Sequence, residues 1–348
     1  MHVLGWDRVK RSMFPKVWTR RRATVFVGVW LTVAGLGWSF RYFLLTDSPP
    51  QSIPALSAPI QHDVIRIAGH ERSYLYYVPA RLNEPPVLLL ALHGARGTGR
   101  RMRIQTAYEF DQLADNDNAI VIYPDGVNGH WNDCRRALAE RQPVGQAVDD
   151  VAFLRALIDR FRTDFAAAAV FVMGFSNGGE MAYRLALEQP DAIAGIATVA
   201  ANLPTVDNSV CVLPGRPVAA LLVAGTEDPI NPYAGGASGW FGLGKGGPVQ
   251  SAMATAAYFS RVAGYDVTLP TSDEVGREHD RPTWVERTTW QRQGSPEVVL
   301  YTIHGGGHTI PQSRYRFRRI LGRTVTSIDC MREMWSFFRR AYPARRAT

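Results

Sequence analysis

The chain has 348 residues, 46% of them hydrophobic and 20% charged, which is too apolar for a disordered protein and long enough for one domain with a full core. The net charge of +8 is concentrated at one end: residues 1–22 hold seven basic residues and one acid, so the other 326 carry 32 basic and 30 acidic residues. A nearly neutral body lacks the basic stripe that phosphate neutralisation needs, so no nucleic-acid partner is expected.

In chain order, the basic segment 1–22 comes first. It is followed by the uncharged run Ala23–Phe40, which Tyr42, Phe43, Leu44 and Leu45 extend past Arg41. A membrane helix needs about 20 apolar residues, and Trp30, Trp38 and Tyr42 are of the types favoured at the interfaces. Basic residues ahead of the run place the N-terminus in the cytoplasm. The expectation is a single-pass signal anchor over 23–45, with the rest of the chain periplasmic or extracellular. A cleaved signal that leaves a secreted protein is the alternative, although Trp38-Ser39-Phe40-Arg41 offers no small-residue cleavage site. Residues 46–61 (TDSPPQSIPALSAPIQ) are rich in Pro and Ser and read as a linker.

From 62 to 345 the pattern is that of one folded domain. Asp63–Ile67 and Tyr74–Val78 suit a hairpin around Gly69. Val87–Leu92, Ala119–Tyr123, Val170–Met173, Val218–Ala224 and Val298–Ile303 are apolar without alternation, as parallel strands buried on both faces are. Val151, Leu154, Leu157, Ile158 and Phe161 share one helical face. Ser251 caps a helix that runs to Val262 ahead of Gly264, and Ile328, Met331, Trp335 and Phe338 mark a last helix. Strands alternating with helices make an α/β layered domain.

The strongest chemical signal is Gly174-Phe175-Ser176-Asn177-Gly178, a G-x-S-x-G between a buried strand and a helix. This is the context of the nucleophile turn of the α/β-hydrolase fold, whose mostly parallel sheet is flanked by helices. A serine nucleophile needs a base, and the base needs an acid to orient it. In chain order Ser, acid, His, the acid falls at Asp228 in Gly225-Thr226-Glu227-Asp228-Pro229, with Glu227 as a solvated neighbour. The base falls at His308 in His304-Gly305-Gly306-Gly307-His308, with His304 as a structural hydrogen-bonding histidine. The oxyanion donors expected are the N–H of Asn177 and the N–H of Ala95, in the loop Leu92-His93-Gly94-Ala95. His93 itself reads as a shaper of that loop. Trp131, in Tyr123-Pro124-Asp125-Gly126…Trp131-Asn132-Asp133, is a candidate lining of the substrate cleft, with plain packing as the alternative. Asp149-Asp150 reads as a helix cap. The glycine-rich 235–247, with Trp240 and Phe241, is either a flap beside the acid or an ordinary loop. Cys134, Cys211 and Cys330 show no metal spacing; unpaired thiols or one disulfide with a leftover thiol both fit, and the pair is not chosen by sequence.

Taken together, Leu92-His93-Gly94, Tyr123–Gly126 with Trp131–Asp133, Val148–Phe153, Gly174–Gly179, Gly225–Pro229 and Gly305–Pro311 resemble the polyhydroxybutyrate depolymerase and feruloyl esterase family of secreted esterases. The resemblance covers about residues 62–340. It implies an α/β-hydrolase fold, carboxylic ester hydrolysis without metal or organic cofactor, and Ser176, Asp228 and His308 as nucleophile, acid and base. The implied substrates are short hydroxyalkanoate, feruloyl or other aryl, and acetyl-sugar esters. A serine peptidase or acyltransferase on the same scaffold is the rival enzyme class, and a non-catalytic envelope-binding protein the rival outside enzymes.

Overall fold

Ten strands form one sheet, in the spatial order Gln61–Ile67, His70–Tyr77, Ala119–Pro124, Val87–Leu92, Ala169–Phe175, Gly195–Val199, Ala219–Gly225, Val298–His304, Trp284–Trp290 and Thr271–Arg277. A computed structural model describes residues 44–346 apart from 83–84, 141–147, 214, 241–242, 278 and 280–281. Residues 1–22, and all but the last two of the expected anchor over 23–45, lie outside the described residues. Among the described residues no helix is long and apolar enough to cross a membrane.

The unit Asp47–Thr348 is built in this order. The hairpin β1 (Gln61–Ile67) and β2 (His70–Tyr77) is followed by β3 (Val87–Leu92), α1 (Gly99–Gln105), α2 (Glu109–Asp117) and β4 (Ala119–Pro124). A one-turn α3 (Arg136–Ala139) precedes α4 (Asp150–Phe165), β5 (Ala169–Phe175), α5 (Asn177–Glu188), β6 (Gly195–Val199) and β7 (Ala219–Gly225). A ribbon of β8 (Gly236–Ala237) and β9 (Pro248–Val249) comes before α6 (Ala252–Val262). The chain ends in β10 (Thr271–Arg277), β11 (Trp284–Trp290), β12 (Val298–His304) and α7 (Cys330–Arg346).

Six central strands, β4, β3, β5, β6, β7 and β12, pair in parallel. Their apolar runs follow from burial on both faces: every residue of β5 and β7 is buried. One face packs on Leu154, Leu157, Met181, Leu185, Ala256 and Phe259 from α4, α5 and α6. The other packs on Met102, Phe110, Met331, Met334 and Phe337 from α1, α2 and α7. Both margins of the sheet are antiparallel, with β1 on β2 at one side and β10 on β11 at the other. β10 reads TSDEVGR and is largely exposed, a polar margin that resists pairing with another chain.

Residues 47–60 are not a free spacer. Asp47 takes ion pairs from Arg101 and Arg318, Ser48 exchanges backbone hydrogen bonds with Arg316, and Ser57 Oγ donates to Asp115. Leu56 and Ile60 pack on the core. The Pro and Ser content that reads as a linker also suits an extended strap, because proline fixes an extended backbone that side-chain hydroxyls can pin.

Candidate active site

β5 leads into the turn that carries Ser176, the expected nucleophile. Ser176 stands between Phe175 and Asn177 with φ 54° and ψ −123°, a positive φ that a non-glycine residue holds at a cost of about 1–3 kcal/mol. The two glycines of the motif are needed for contact. A Cβ on Gly174 would lie 2.1 Å from Gly178 O, and one on Gly178 would lie 2.4 Å from Leu92 O. Strand, turn and the loop after β3 therefore meet backbone to backbone. The Ser176 N–H donates to Val199 O at 2.8 Å, which ties the turn to the end of β6.

Asp228 and His308, the expected acid and base, reach the same point from β7 and β12. Asp228 Oδ1 accepts from the N–H groups of Ile230 at 2.7 Å and Asn231 at 2.8 Å. Its Oδ2 is left for His308 Nδ1 at 2.7 Å. Because a carboxylate only accepts, Nδ1 carries the proton and Nε2 is the free lone pair. Ser176 Oγ stands 2.9 Å from that nitrogen. His308 is held by its own N–H to Leu321 O at 2.7 Å, and its ring lies against Phe175 with centroids 5.2 Å apart. The structure thus brings Ser176, His308 and Asp228 into one hydrogen-bonded line. Glu227 is exposed, and His304 stacks on Trp284 and meets Glu286 at 3.1 Å, away from that line.

Asn177 opens α5, so its N–H has no partner within the helix. Ala95 sits on the exposed tip of the loop after β3. The N–H of Arg96 is spent on Gly129 O at 2.7 Å and that of Gly97 on Gly94 O at 3.0 Å, while the Ala95 N–H has no acceptor among the described residues. His93 shapes this loop from below. Its Nε2 accepts from the Gly126 N–H at 2.9 Å, so Nδ1 must donate to Gly94 O at 2.8 Å. Burial holds this imidazole below its ordinary pKa and therefore neutral.

Two expectations change. Trp131 does not line an open cleft: it is 3% exposed, its indole N–H is donated to His93 O at 2.9 Å, and its ring lies against His93. It packs beneath the loop after β3. Asp149 caps α4 by accepting from Ala152 N, but Asp150 does more than complement a dipole. It is buried and pairs with Arg72 at 2.6 Å while accepting from Asn132 N at 2.7 Å, which pins the 131–133 strap to β2 and α4.

A buried ionic cluster lies behind Ser176, and no sequence motif points to it. Glu180, one turn into α5, pairs with Arg135, and Arg135 also grips Asp133 at 2.6 Å. Asp133 accepts from Asn177 Nδ2 at 2.7 Å. Burial pushes the Glu180 carboxyl up to about 8 against the opposing pull of Arg135. The available signal was a carboxylate in an otherwise apolar stretch of helix, which demands a buried cation. Of the two readings left open for the cysteines, the structure has one disulfide, Cys134–Cys211, with Cys330 as a buried free thiol. The segment 235–247 is anchored beside the acid, with Gly239 N donating to Ile230 O at 2.6 Å; Phe241 of this segment lies outside the described residues.

No family model matches the chain. The putative esterase NocK of Nocardia uniformis subsp. tsuyamanensis is 31% identical over 303 residues, covering 80% of this chain and 82% of that protein. Probable feruloyl esterase C of Aspergillus niger is 28% identical over 210 residues, 57% of this chain and 72% of that one. Among solved structures, acetyl xylan esterase from Aspergillus awamori matches with a TM-score of 0.51 at 17% identity, over 84% of this chain and 99% of that chain, a likeness of fold.

Proposed function

The chain belongs to the esterase family of NocK, with fungal feruloyl esterases among its relatives, and as a carboxylic ester hydrolase of that family, we propose, it works through an acyl-enzyme on Ser176. The observation that carries the reading is the line Ser176 Oγ to His308 Nε2 at 2.9 Å and His308 Nδ1 to Asp228 Oδ2 at 2.7 Å. His308 Nε2 takes the Ser176 proton as Oγ bonds to the ester carbonyl carbon. The oxyanion is met by the N–H groups of Asn177 and Ala95, aided by the positive end of α5. Asp228 keeps Nδ1 protonated and stabilises the imidazolium. The tetrahedral adduct collapses, the alcohol leaves with the proton from His308, and a water activated by the same nitrogen releases the acid.

The acyl groups proposed are short hydroxyalkanoyl, feruloyl or other aryl, and acetyl on sugar. The Cys134–Cys211 disulfide supports a domain outside the cytoplasm, since such bonds persist in oxidising compartments, and the basic-then-apolar N-terminus supports attachment to the membrane.

The test is hydrolysis by the full chain in detergent micelles, wild type beside Ser176→Ala. The panel is p-nitrophenyl esters from acetyl to octanoyl, methyl ferulate, acetylated xylo-oligosaccharide and a soluble 3-hydroxybutyrate oligomer. The expected outcome is activity in the wild type and a loss of at least about 10³-fold in the variant. A folded Ser176→Ala protein that keeps its activity removes Ser176 from the mechanism.

A further inference from the structure

Beneath the nucleophile turn lies a buried ionic cluster that no step of acyl transfer uses. Glu180 is 3% exposed, Arg135 8% and Asp133 2%. Arg135 sits between the two carboxylates, with Nη2 on Asp133 Oδ2 at 2.6 Å and paired also with Glu180 Oε2. The cluster reaches the site at both ends. On one side Asp133 Oδ2 accepts from Asn177 Nδ2 at 2.7 Å, while Asn177 Oδ1 accepts from Trp131 N at 2.8 Å, so the Asn177 side chain is fully held. On the other side Glu180 Oε1 accepts from Asn231 Nδ2 at 3.2 Å, and the Asn231 N–H donates to Asp228 Oδ1. A continuous path thus runs Asp228, Asn231, Glu180, Arg135, Asp133, Asn177 through the interior, joining the acid to an oxyanion donor behind the nucleophile.

Stability alone does not account for it. Taking the Arg135 and Asp133 charges and the Glu180 carboxyl out of water is costly, and well-packed apolar side chains of similar volume serve a core as well or better. What ions with fixed hydrogen bonds supply is position. The Asn231 side chain shows how: among the described residues its Oδ1 is buried without a hydrogen-bond partner, and its Nδ2 donates to Glu180, which orients that amide.

We propose that Glu180 and Arg135 are positioning residues that hold the Asn177 amide and the Asp228 carboxylate in register, through Asp133 on one side and Asn231 on the other. The inference rests on the acyl-enzyme reading above. Neither residue is placed to touch substrate, so their loss acts on the transition state. A misplacement of about 1 Å costs on the order of 10²-fold in rate.

The experiment uses the full chain in detergent micelles and three variants, Glu180→Met, Glu180→Gln and Asn231→Leu. Three readouts are taken on p-nitrophenyl acetate: kcat, KM and inhibition by phenylboronic acid, which forms a tetrahedral adduct on the nucleophilic serine. Thermal unfolding reports the fold, and fluorophosphonate labelling reports Ser176. For Glu180→Met, kcat falls by about 10- to 100-fold, KM stays within about twofold, and boronate affinity falls by the same factor as kcat. Glu180→Gln recovers most of the loss, because its carbonyl accepts from Arg135 and the Asn231 amide can turn its free Oδ1 to the new N–H. If Glu180→Met does not fold, Asn231→Leu cuts the path outside the ion pair and shows the same kcat and boronate losses. The proposal is overturned if a folded Glu180→Met or Asn231→Leu protein keeps wild-type kcat, or if the loss appears in KM alone. It is overturned too if Glu180→Gln is as impaired as Glu180→Met. A wild type that the fluorophosphonate does not label instead overturns the acyl-enzyme reading on which the path depends.

Discussion

Cutting the Cys134–Cys211 bond gives a loss that can be worked out in advance. The two residues are 77 apart in sequence, and closing a loop of that length removes about 15 cal/mol/K from the denatured chain, or about 4.5 kcal/mol at 25 °C. A unit of about 300 residues unfolds with an entropy of about 0.6 kcal/mol/K near its midpoint, so the expected fall in Tm is about 7 °C. The assay is thermal unfolding of the double variant Cys134→Ser, Cys211→Ser beside the wild type, each with and without dithiothreitol. The wild type should drop to the variant's Tm on reduction, and the variant should not respond. Thiol titration in denaturant should find one thiol in the untreated wild type and three after reduction. Activity should fall too, because the same bond tethers the strap that carries Asp133 and Arg135. A drop below about 2 °C, or three thiols in the untreated protein, refutes the reasoning.

Gly178→Ala drives a methyl into Leu92 O and pushes the oxyanion loop away; kcat should fall by about 10²-fold in a protein that still unfolds cooperatively, and an unchanged kcat would detach that loop from the chemistry. His93→Leu strands the Gly126 N–H in the interior, at about 1–3 kcal/mol, and leaves Gly94 O with the Gly97 N–H as its donor; the loss is readable as a lower midpoint in urea. The same histidine makes a pH statement. Burial lowers its folded pKa, so it contributes stability above the unfolded value of about 6.5 and that stability is lost as pH falls; in the leucine variant the acid-side decline between about pH 7 and 5 should be shallower. Glu180 has the opposite sign. Its folded carboxyl is raised from 4.5 to about 8, so the folded chain keeps a proton the unfolded chain sheds, and stability declines as pH rises through that window. Urea midpoints of Glu180→Gln should lack that decline, and parallel curves for variant and wild type would refute it.

The parts that read clearly from sequence are those where one physical demand dominates. β3, β5 and β7 announce themselves because burial on both faces removes every polar residue, and Ser176, Asp228 and His308 because each sits at a strand end flanked by glycine. β6 escaped notice because GIATV is short and small, and β10 because a margin strand is selected for polarity instead of apolar content. α1, GRRMRIQ, is seven residues long and buries Gly99, Met102 and Gln105, so it shows no apolar stripe long enough to register. Trp131 and Asp150 were visible as residues but not as roles, since a buried indole and a lining indole look alike until the His93 carbonyl is seen beneath. The Glu180–Arg135 pair spans 45 positions, a separation across which pattern carries no information.

The sheet's order has a consequence for how the molecule tolerates damage. Ser176 hangs from β5, fifth of ten strands, while the two strands at each margin carry none of the three aligned side chains. Fraying that starts at β1 or β10 must consume several ladders before it reaches the nucleophile, since local opening begins where few contacts hold a segment. The antiparallel margins therefore act as a buffer zone. Heat, protease or an inserted loop is absorbed first at the outermost strands, β1 and β10, which are the most exposed of the sheet.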